Sequence, residues 1–522
     1  MKSLASLLSI IALVFGLVGC PGGGGGGGSA ADFAVSTTAA DFGVVGNAYT
    51  STLAVTGGTA PFTWTLFVGS LPTGTPDLSL DPGTGVVSGT PTAAGNFTAT
   101  FTVRDSTGKT ATGSVLFVIH TRTDRVSVNG SGTAGSGSSS TPSISGDGSL
   151  VAFASSSTNF VTNVNGTQIY LHNRQTNQIE VISRDSDASA INEGGGTSSD
   201  PSMSSDGRLV AFVSLSSNLV PGVSGQQIYV RDRQTGQTTV VSKSSVGIIG
   251  TGTSSAPAIS ADGRYVAFVS VSTNLVASVS GTQVYVHDRQ TGQTTLVSQD
   301  NSVTPVEGDG VSASPAISSD GRFVAFASAS TNLVAGVSGT QIYVHNRQTG
   351  QTTLVSHDNS VIPVAGNGVS ASPTISSNGQ FIAFPSLSTN LGATGANQQI
   401  YIHDRITGAN GTTSLISKDS SATAGDGNSS APSISGDGRY VAFTSLATNL
   451  VASVSGQQIY LHDRNGPATS LVSRDNTGSL VEGTGPSDTP SITSNGGFVA
   501  FFSQAPNLVA GSGSHIYVRA LP

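Results

Sequence analysis

The chain has 522 residues, and its 29 acidic and 21 basic residues give a net charge of −8. Only 10% of the residues are charged, so small polar residues must supply most of the surface. Nucleic-acid binding is not expected, because neutralising phosphates needs clustered cations and this mildly acidic chain has none. The single cysteine, Cys20, excludes an internal disulfide and thiolate metal clusters.

The first predicted element is an export signal. Lys2 precedes an apolar run over residues 4–18, which suits a signal-peptide core and is too short for an ordinary transmembrane span. The run ends in LVGC, which resembles the bacterial lipobox; the alternative is an ordinary signal peptide with an incidental cysteine. The resemblance implies a signal peptide over residues 1–19 and lipidation of Cys20. It also implies an outer-membrane destination, because Pro21 stands where the aspartate that retains lipoproteins in the inner membrane would be.

Residues 20–31 contain seven consecutive glycines and predict a flexible tether with a reach of about 20 Å. Residues 32–120 predict an all-β module, because apolar and polar residues alternate over 49–55 and 97–103. Turn residues separate these runs, and about 90 residues suit a two-sheet sandwich. Trp64 follows an apolar strand start, so we expect it in the core rather than on a sugar-binding surface.

Three segments of this module carry a family resemblance. They read APFTW over residues 60–64, LDPGTGVVSGTP over 80–91 and VRDS over 103–106. They resemble the bacterial Putative Ig family, whose members are cadherin-like sandwiches. The resemblance covers the whole module and implies an Ig-like β-sandwich.

From residue 121 onward the sequence repeats with a period of about 58 residues. Two markers each recur seven times: a proline at positions 142, 201, 257, 315, 373, 432 and 490, and a tyrosine at 170, 229, 285, 343, 401, 460 and 517. Each copy has four strand-like runs joined by short turns, which is typical of a propeller blade. A solenoid is the alternative, but its ends would need polar caps.

The two ends of the repeat region complement each other. The last copy stops after its third strand, and residues 125–129 match the missing fourth strand. We therefore predict an all-β chain in which residues 121–522 form a seven-bladed β-propeller with strand-swapped closure. The repeated pattern PSISxDGRxVAF resembles the TolB-type propeller repeat. That resemblance implies the fold and says little about function.

Several polar residues recur at equivalent positions of the copies and could form metal sites. Histidines on the third strands (His172, His287, His345, His403 and His462) lie too far apart in neighbouring blades to share a metal ion. Acidic residues in the connections between copies suggest a possible calcium site, although their spacing is not that of a dense calcium loop. The residues concerned are Asp185, Asp187, Asp300, Glu307 and Asp309. No other cofactor is predicted.

No catalytic motif is present, so the chain is predicted not to be an enzyme. We expect a lipid-anchored cell-envelope protein that binds an unknown protein or glycan. Binding would use the face that carries two sets of long connections: those between the second and third strands of a copy, and those between the fourth strand of one copy and the first strand of the next. Two alternatives remain open: a propeller-based enzyme such as a glycan lyase or hydrolase, and a structural envelope protein.

Overall fold

The computed structural model describes residues 32–74, 77–187, 194–393, 395–466, 468–477 and 481–521. The regular elements in these ranges are β-strands. Among the described residues, no helix is long and apolar enough to cross a bilayer. The predicted signal peptide, Cys20 and the glycine tether lie outside the described residues.

Residues 32–120 form two sheets, in agreement with the predicted Ig-like fold. The larger sheet has the strand order Gly43–Val44, Thr110–His120, Gly95–Arg104 and Thr63–Gly69. The smaller sheet has the order Tyr49–Thr52, Val86–Gly89 and Ser79–Leu80. A two-stranded ribbon pairs Ala34–Val35 with Val55–Thr56.

The core of this module lies between the two sheets. Trp64 is only 3% exposed and belongs to one apolar cluster with Phe101 and Val87, as predicted. Its amide donates to the Pro82 carbonyl. Gly85, at φ +73°, must remain small because a Cβ there would collide with the indole ring. The DPGTG turn therefore shapes the pocket that receives Trp64.

After the sandwich, the described residues form seven four-stranded antiparallel sheets. We number the sheets 1 to 7 along the chain and give the strands of each sheet from the innermost to the outermost. Sheets 1 to 3 are Ser139–Ile144, Leu150–Ser155, Gln168–Asn173, Gln178–Val181; Ser198–Met203, Leu209–Ser214, Gln227–Asp232, Gln237–Val240; and Ser254–Ile259, Tyr265–Ser270, Gln283–Asp288, Thr294–Leu296. Sheets 4 and 5 are Ser312–Ile317, Phe323–Ser328, Gln341–Asn346, Gln351–Leu354; and Thr374–Ile375, Phe381–Ser386, Gln399–Asp404, Thr412–Leu415. Sheets 6 and 7 are Ser429–Ile434, Tyr440–Ser445, Gln458–Asp463, Thr469–Leu471; and Ser487–Ile492, Phe498–Ser503, His515–Ala520, Thr123–Arg125.

The middle strands of each sheet are buried because neighbouring sheets cover both faces. In sheet 3, Phe268 and Tyr285 pair across the strands and stack with ring centroids 5.9 Å apart. Both are fully buried, and every other sheet repeats the pair. The centres of these strands are therefore apolar, because a polar side chain there would lose water without gaining a partner.

The innermost strands surround a common axis. A cavity of about 270 Å³ is lined by residues of all seven sheets. Backbone amides link the first turn of each sheet to the next, in the order Gly146, Ser205, Ala261, Ser319, Ser377, Gly436 and Ser494. The Ser494 hydroxyl then donates to the Gly146 carbonyl over 3.4 Å, so the last turn is bonded to the first.

Sheet 7 combines strands from both ends of the repeat region. Thr123–Arg125 runs antiparallel to His515–Ala520, with Arg125 opposite Tyr517. The Val126 amide also donates to the Ile516 carbonyl over 2.9 Å. The strand begins two residues before the predicted segment 125–129. The fourth strand of sheet 3 likewise ends before its Val-Ser pair, so the same shift occurs in a sheet whose strands all come from one copy.

The sandwich contacts the propeller at sheets 1 and 7. The Arg174 guanidinium lies 4.6 Å from the ring centroid of Phe42 in the sandwich and 4.8 Å from that of Phe498 in sheet 7. It donates to the Gly148 carbonyl over 2.8 Å. Burial lowers the pKa of Arg174 to about 10, which leaves it charged at neutral pH. His120 Nε2 at the end of the sandwich donates to the Arg174 carbonyl over 2.8 Å.

Candidate binding groove between sheets 4 and 5

The seams between neighbouring sheets share a repeated hydrogen bond. In six seams of the described residues, a threonine hydroxyl on the outer strand of one sheet donates to a backbone carbonyl that follows the outer strand of the preceding sheet. The pairs are Thr238 to Arg184, Thr294 to Lys243, Thr352 to Gln299, Thr413 to His357, Thr469 to Lys418 and Thr123 to Arg474. The residue that provides the carbonyl is Arg at two of these seams, Lys at two, Gln at one and His at one, so a histidine distinguishes seam 4/5 from the other five.

Three of these seams add an asparagine that pairs with the threonine backbone. At seam 4/5, Asn359 accepts from the Thr413 amide over 2.7 Å and donates to its carbonyl over 2.8 Å. Asn301 and Thr352 at seam 3/4 and Asn476 and Thr123 at seam 6/7 make the same two bonds. The side-chain amide thus extends the outer strand as another strand would.

Seam 4/5 places two histidines in contact. The rings of His357 and His403 have centroids 4.6 Å apart at 70°, and both residues are buried. Thr413 already donates its single hydroxyl proton to the His357 carbonyl. His403 Nδ1, 3.1 Å from the same hydroxyl, must therefore be the donor. His403 accordingly carries its proton on Nδ1 and leaves Nε2 with a free lone pair.

Burial lowers the pKa of His403 to about 3, and repulsion from His357 and Arg405 adds to the effect. His403 is therefore neutral at physiological pH. His357 Nδ1 lies 2.7 Å from the Asp358 carbonyl, which can only accept, so this nitrogen also carries a proton. The seam presents imidazole edges that can accept a hydrogen bond from a bound group.

A longer turn opens this seam into a groove. Thr413 lies ten residues after His403, whereas Thr294 lies seven after His287 in sheet 3, so the turn in sheet 5 has three additional residues. Gly411 in this turn, at φ +84°, passes against the imidazole of His403, and a Cβ there would collide with Nε2. The turn is held to the preceding connection by Asn410, which donates to the Val361 carbonyl over 3.1 Å.

The resulting groove has a volume of about 770 Å³. Its walls are the connection with Val337 in sheet 4, the connection with Val364 between the sheets, and His403 and Arg405 of sheet 5. Apolar side chains lie exposed beside it: Val361 is 94% exposed, Ile362 82% and Ile406 70%. Exposed apolar side chains near a groove are typical of an interaction site.

The predicted calcium residues lie in two separate connections. Asp309 accepts from the amide and hydroxyl of Thr331, both over 2.6 Å, and Asp300 accepts from the Val306 amide and the Ser302 hydroxyl. Glu307 lies 3.5 Å from the Ser280 hydroxyl, and the Asp187 amide donates to Asp185. Among the described residues, no three His, Cys, Asp or Glu side chains are grouped as metal ligands. These carboxylates stabilise turns, and calcium binding stays a prediction.

The recurring histidines make repeated structural contacts. His287, His345 and His462 bond the threonine of their own fourth strand, as His403 does, and His172 bonds Asn177. Sequence reasoning missed His357, which is not on a third strand. The sequence carried two signals: the position of His357 is occupied by Arg, Lys or Gln at the five other described seams, and the turn of the fifth copy is three residues longer.

Two kinds of similarity to known proteins were found. Residues 31–120 match the model of the Putative Ig domain family, which confirms the predicted Ig-like module. No curated protein matches the chain. Similar solved structures include the β-propeller domain of the Trilobed protease from Pyrococcus furiosus, with 15% identity over 74% of this chain and 94% of that chain and a TM-score of 0.47.

Two further solved structures are similar at the same level. A protein described as TolB from Agrobacterium tumefaciens has 16% identity over 68% of this chain and 98% of that chain, with a TM-score of 0.37. The periplasmic gluconolactonase of Pseudomonas aeruginosa has 14% identity over 74% of this chain and 99% of that chain, with a TM-score of 0.35. These similarities concern the β-propeller fold.

The prediction that the chain is not an enzyme is contradicted. The similar structures include the propeller domain of a protease and a gluconolactonase, so this fold is compatible with an enzyme. The prediction was drawn from missing sequence motifs. Because catalytic residues in a propeller come from separate sheets, no contiguous motif needs to mark them.

Proposed function

We propose that this chain is an envelope lipoprotein that binds an exposed segment of a protein partner in the groove between sheets 4 and 5. The observation that carries the proposal is the break in the repeat at this seam. Here alone among the described seams, a longer turn, a histidine pair and a group of exposed apolar side chains occur together. Binding sites on repeat proteins need such local departures from symmetry.

The scaffold we propose is a closed seven-bladed propeller. Support comes from the hydrogen bonds that link all seven first turns and from the Ser494 hydroxyl bond to Gly146. Further support comes from Thr123–Arg125, which supplies the fourth strand of sheet 7. A closed ring has no long unpaired sheet edge, and this keeps the groove rigid and limits aggregation.

A protein partner suits the groove better than a glycan does. The exposed large apolar side chains of the described propeller residues are all aliphatic. Sugar rings favour aromatic faces, whereas Val361, Ile362 and Ile406 suit aliphatic side chains of a polypeptide. His403 Nε2 would accept a hydrogen bond from a backbone or side-chain N–H of that segment, and Arg405 would meet its carbonyl or carboxylate groups.

Attachment to the membrane through Cys20 is the second part of the proposal. Support comes from the LVGC ending of the apolar run and from the glycine-rich segment after it. Labelled palmitate should be incorporated into the full chain and not into Cys20→Ser. Equal labelling of both chains, or of neither, would contradict lipidation at this residue.

Site-specific photocrosslinking in cells tests the groove. A photoreactive phenylalanine analogue is placed at Val361 in the full chain, and at Val246 as a control. Val246 is 81% exposed in another connection between sheets. We expect a discrete protein adduct from position 361, weakened by His403→Phe, and none from position 246. Adducts of equal yield at both positions, or none at 361, would reject the groove as the binding site.

A further inference from the structure

The sandwich carries an apolar surface that its own core does not use. Leu66, Phe67 and Val68 follow one another in Thr63–Gly69 and are 41%, 67% and 58% exposed. This strand is the last in the order of the larger sheet, so one of its edges has no strand partner among the described residues. Three consecutive exposed apolar side chains on an edge strand form a patch that calls for a covering partner.

A bulge gives the patch its shape. Leu66 pairs with Phe101 and Val68 with Thr100, so Phe67 is the extra residue of a β-bulge. The bulge breaks the alternation that keeps Trp64 inside, and it turns neighbouring side chains outward together. It also interrupts the row of free backbone groups that an added strand would need. The edge is therefore better suited to a flat apolar medium than to strand addition by a peptide or a second copy.

The position of the patch follows from where the chain enters the sandwich. The Phe33 ring stacks on Phe62, with centroids 5.9 Å apart, and Phe62 immediately precedes the edge strand. Phe67 then lies about 17 Å further along the strand. Eleven residues lie between Cys20 and Asp32, and a glycine-rich segment of this length has a reach of about 20 Å.

The opposite end of the sandwich contacts the propeller. Thr63 pairs with Arg104, and Arg104 pairs with Thr110 at the start of the strand that ends at His120. His120 contacts Arg174 of sheet 1. Entry of the chain and contact with the propeller thus lie about 30 Å apart along this strand. The patch lies between these two ends, because Val68 pairs with Thr100 and Thr100 pairs with Ser114. The sandwich would therefore meet a membrane with the side that carries this edge strand.

We infer that Leu66, Phe67 and Val68 insert into the lipid bilayer to which Cys20 is attached, so that the sandwich is docked on the membrane and not merely tethered. The inference rests on the lipidation proposed above. Residues 32–120 contain only two cations, Arg104 and Lys109, so attraction to anionic lipids contributes little. Apolar contact supplies the binding, and it should be insensitive to salt.

Tryptophan fluorescence of the full lipidated chain in vesicles tests this docking. Phe67→Trp places a reporter in the patch, and Val303→Trp places one on a fully exposed propeller connection. Trp64 stays in both as a buried background. The vesicles contain phosphatidylethanolamine and phosphatidylglycerol, with or without bromine on the upper acyl chain. We expect blue-shifted emission and loss of emission in brominated vesicles for Phe67→Trp, unchanged at high salt, and neither for Val303→Trp.

The outcomes separate the inference from the proposal on which it rests. If the protein carries lipid and floats with vesicles while Phe67→Trp is not quenched, the docking is wrong and the anchor stands. If Cys20 is not lipidated, the anchor itself fails. A blue shift of Phe67→Trp without vesicles that grows with protein concentration would assign the patch to a second copy of the chain and reject the membrane.

Discussion

Seam 4/5 and seam 6/7 are built with the same contacts and differ in what they form. At both, an asparagine makes two hydrogen bonds of 2.7 and 2.8 Å to a threonine backbone, through Asn359 at one and Asn476 at the other. The strand held at seam 6/7 is Thr123–Arg125, which comes from the other end of the repeat region. The strand held at seam 4/5 belongs to its own copy.

This comparison separates two roles of the sequence. The contacts that hold neighbouring sheets together do not depend on whether the strand arrives through a turn or from a distant part of the chain. The groove, in contrast, depends on residues that the repeat does not share: His357 and the three additional residues before Thr413. Stability therefore lies in the repeated positions and specificity in the departures from them.

The largest effect is expected from a charge placed next to Thr123–Arg125, the strand of sheet 7 that comes from the start of the repeat region and is called here the exchanged strand. Val126 is fully buried, as is the matching Val297 of sheet 3. An unpaired carboxylate at either position should cost at least about 4 kcal/mol of unfolding free energy. Urea unfolding followed by circular dichroism should show similar losses for Val126→Asp and Val297→Asp, and no loss for Val303→Asp, whose side chain is exposed. Near-native stability of Val126→Asp would mean that the strand is not part of the ring.

Arg174 extends the comparison to the seam between sheets 7 and 1. It contacts two aromatic rings, whereas the corresponding Arg347 contacts one, Tyr265, at 4.2 Å. Each arginine also donates to a glycine carbonyl. We expect Arg174→Ala to cost about 3 kcal/mol and Arg347→Ala about 1–2 kcal/mol, because Arg174 is fully buried between two rings whereas Arg347 is half-buried against one. Equal unfolding free energies would show that Phe42 does not strengthen this seam.

Acidification should destabilise seam 4/5, which carries the groove, before it destabilises seam 6/7. His403 is held neutral with a pKa of about 3, while the unfolded chain binds a proton near the ordinary pKa of about 6.5. The stability that depends on neutral His403 is complete above that ordinary pKa and is lost as the pH falls towards 3. The loss at pH 5 is about 2 kcal/mol from this residue.

Urea unfolding at pH 7 and pH 5 measures this loss, with His403→Asn as the variant that cannot titrate. The wild-type chain should lose more stability between the two pH values than His403→Asn does. Identical pH dependence of the two chains would place the titration elsewhere.

The smallest expected effect concerns the asparagine contacts. Asn476→Ala and Asn359→Ala each remove two hydrogen bonds and should each cost about 1–2 kcal/mol. The two costs should agree within about 0.5 kcal/mol if the seams are equivalent. A much larger loss for Asn476→Ala would show that the exchanged strand relies on this contact more than a strand of its own copy does.

Much of the fold could be predicted because its signals are local and repeated. The alternation of apolar residues and the Asp-Gly turns identified the strands, and the spacing of proline and tyrosine identified the copies. The turn residues around Trp64 and its apolar flanks predicted its burial. Each of these features is decided by residues within one strand and the next turn.

The groove, in contrast, was decided by the tertiary structure. His357 and His403 are separated by a whole connection and two strands, and only the packing of sheet 5 on sheet 4 brings their rings together. The same holds for Leu66, Phe67 and Val68, which lie exposed together at a bulge that only the strand pairing reveals. A sequence records which side chains are available, but contacts across a seam depend on how rigid sheets pack, and no local pattern specifies that packing.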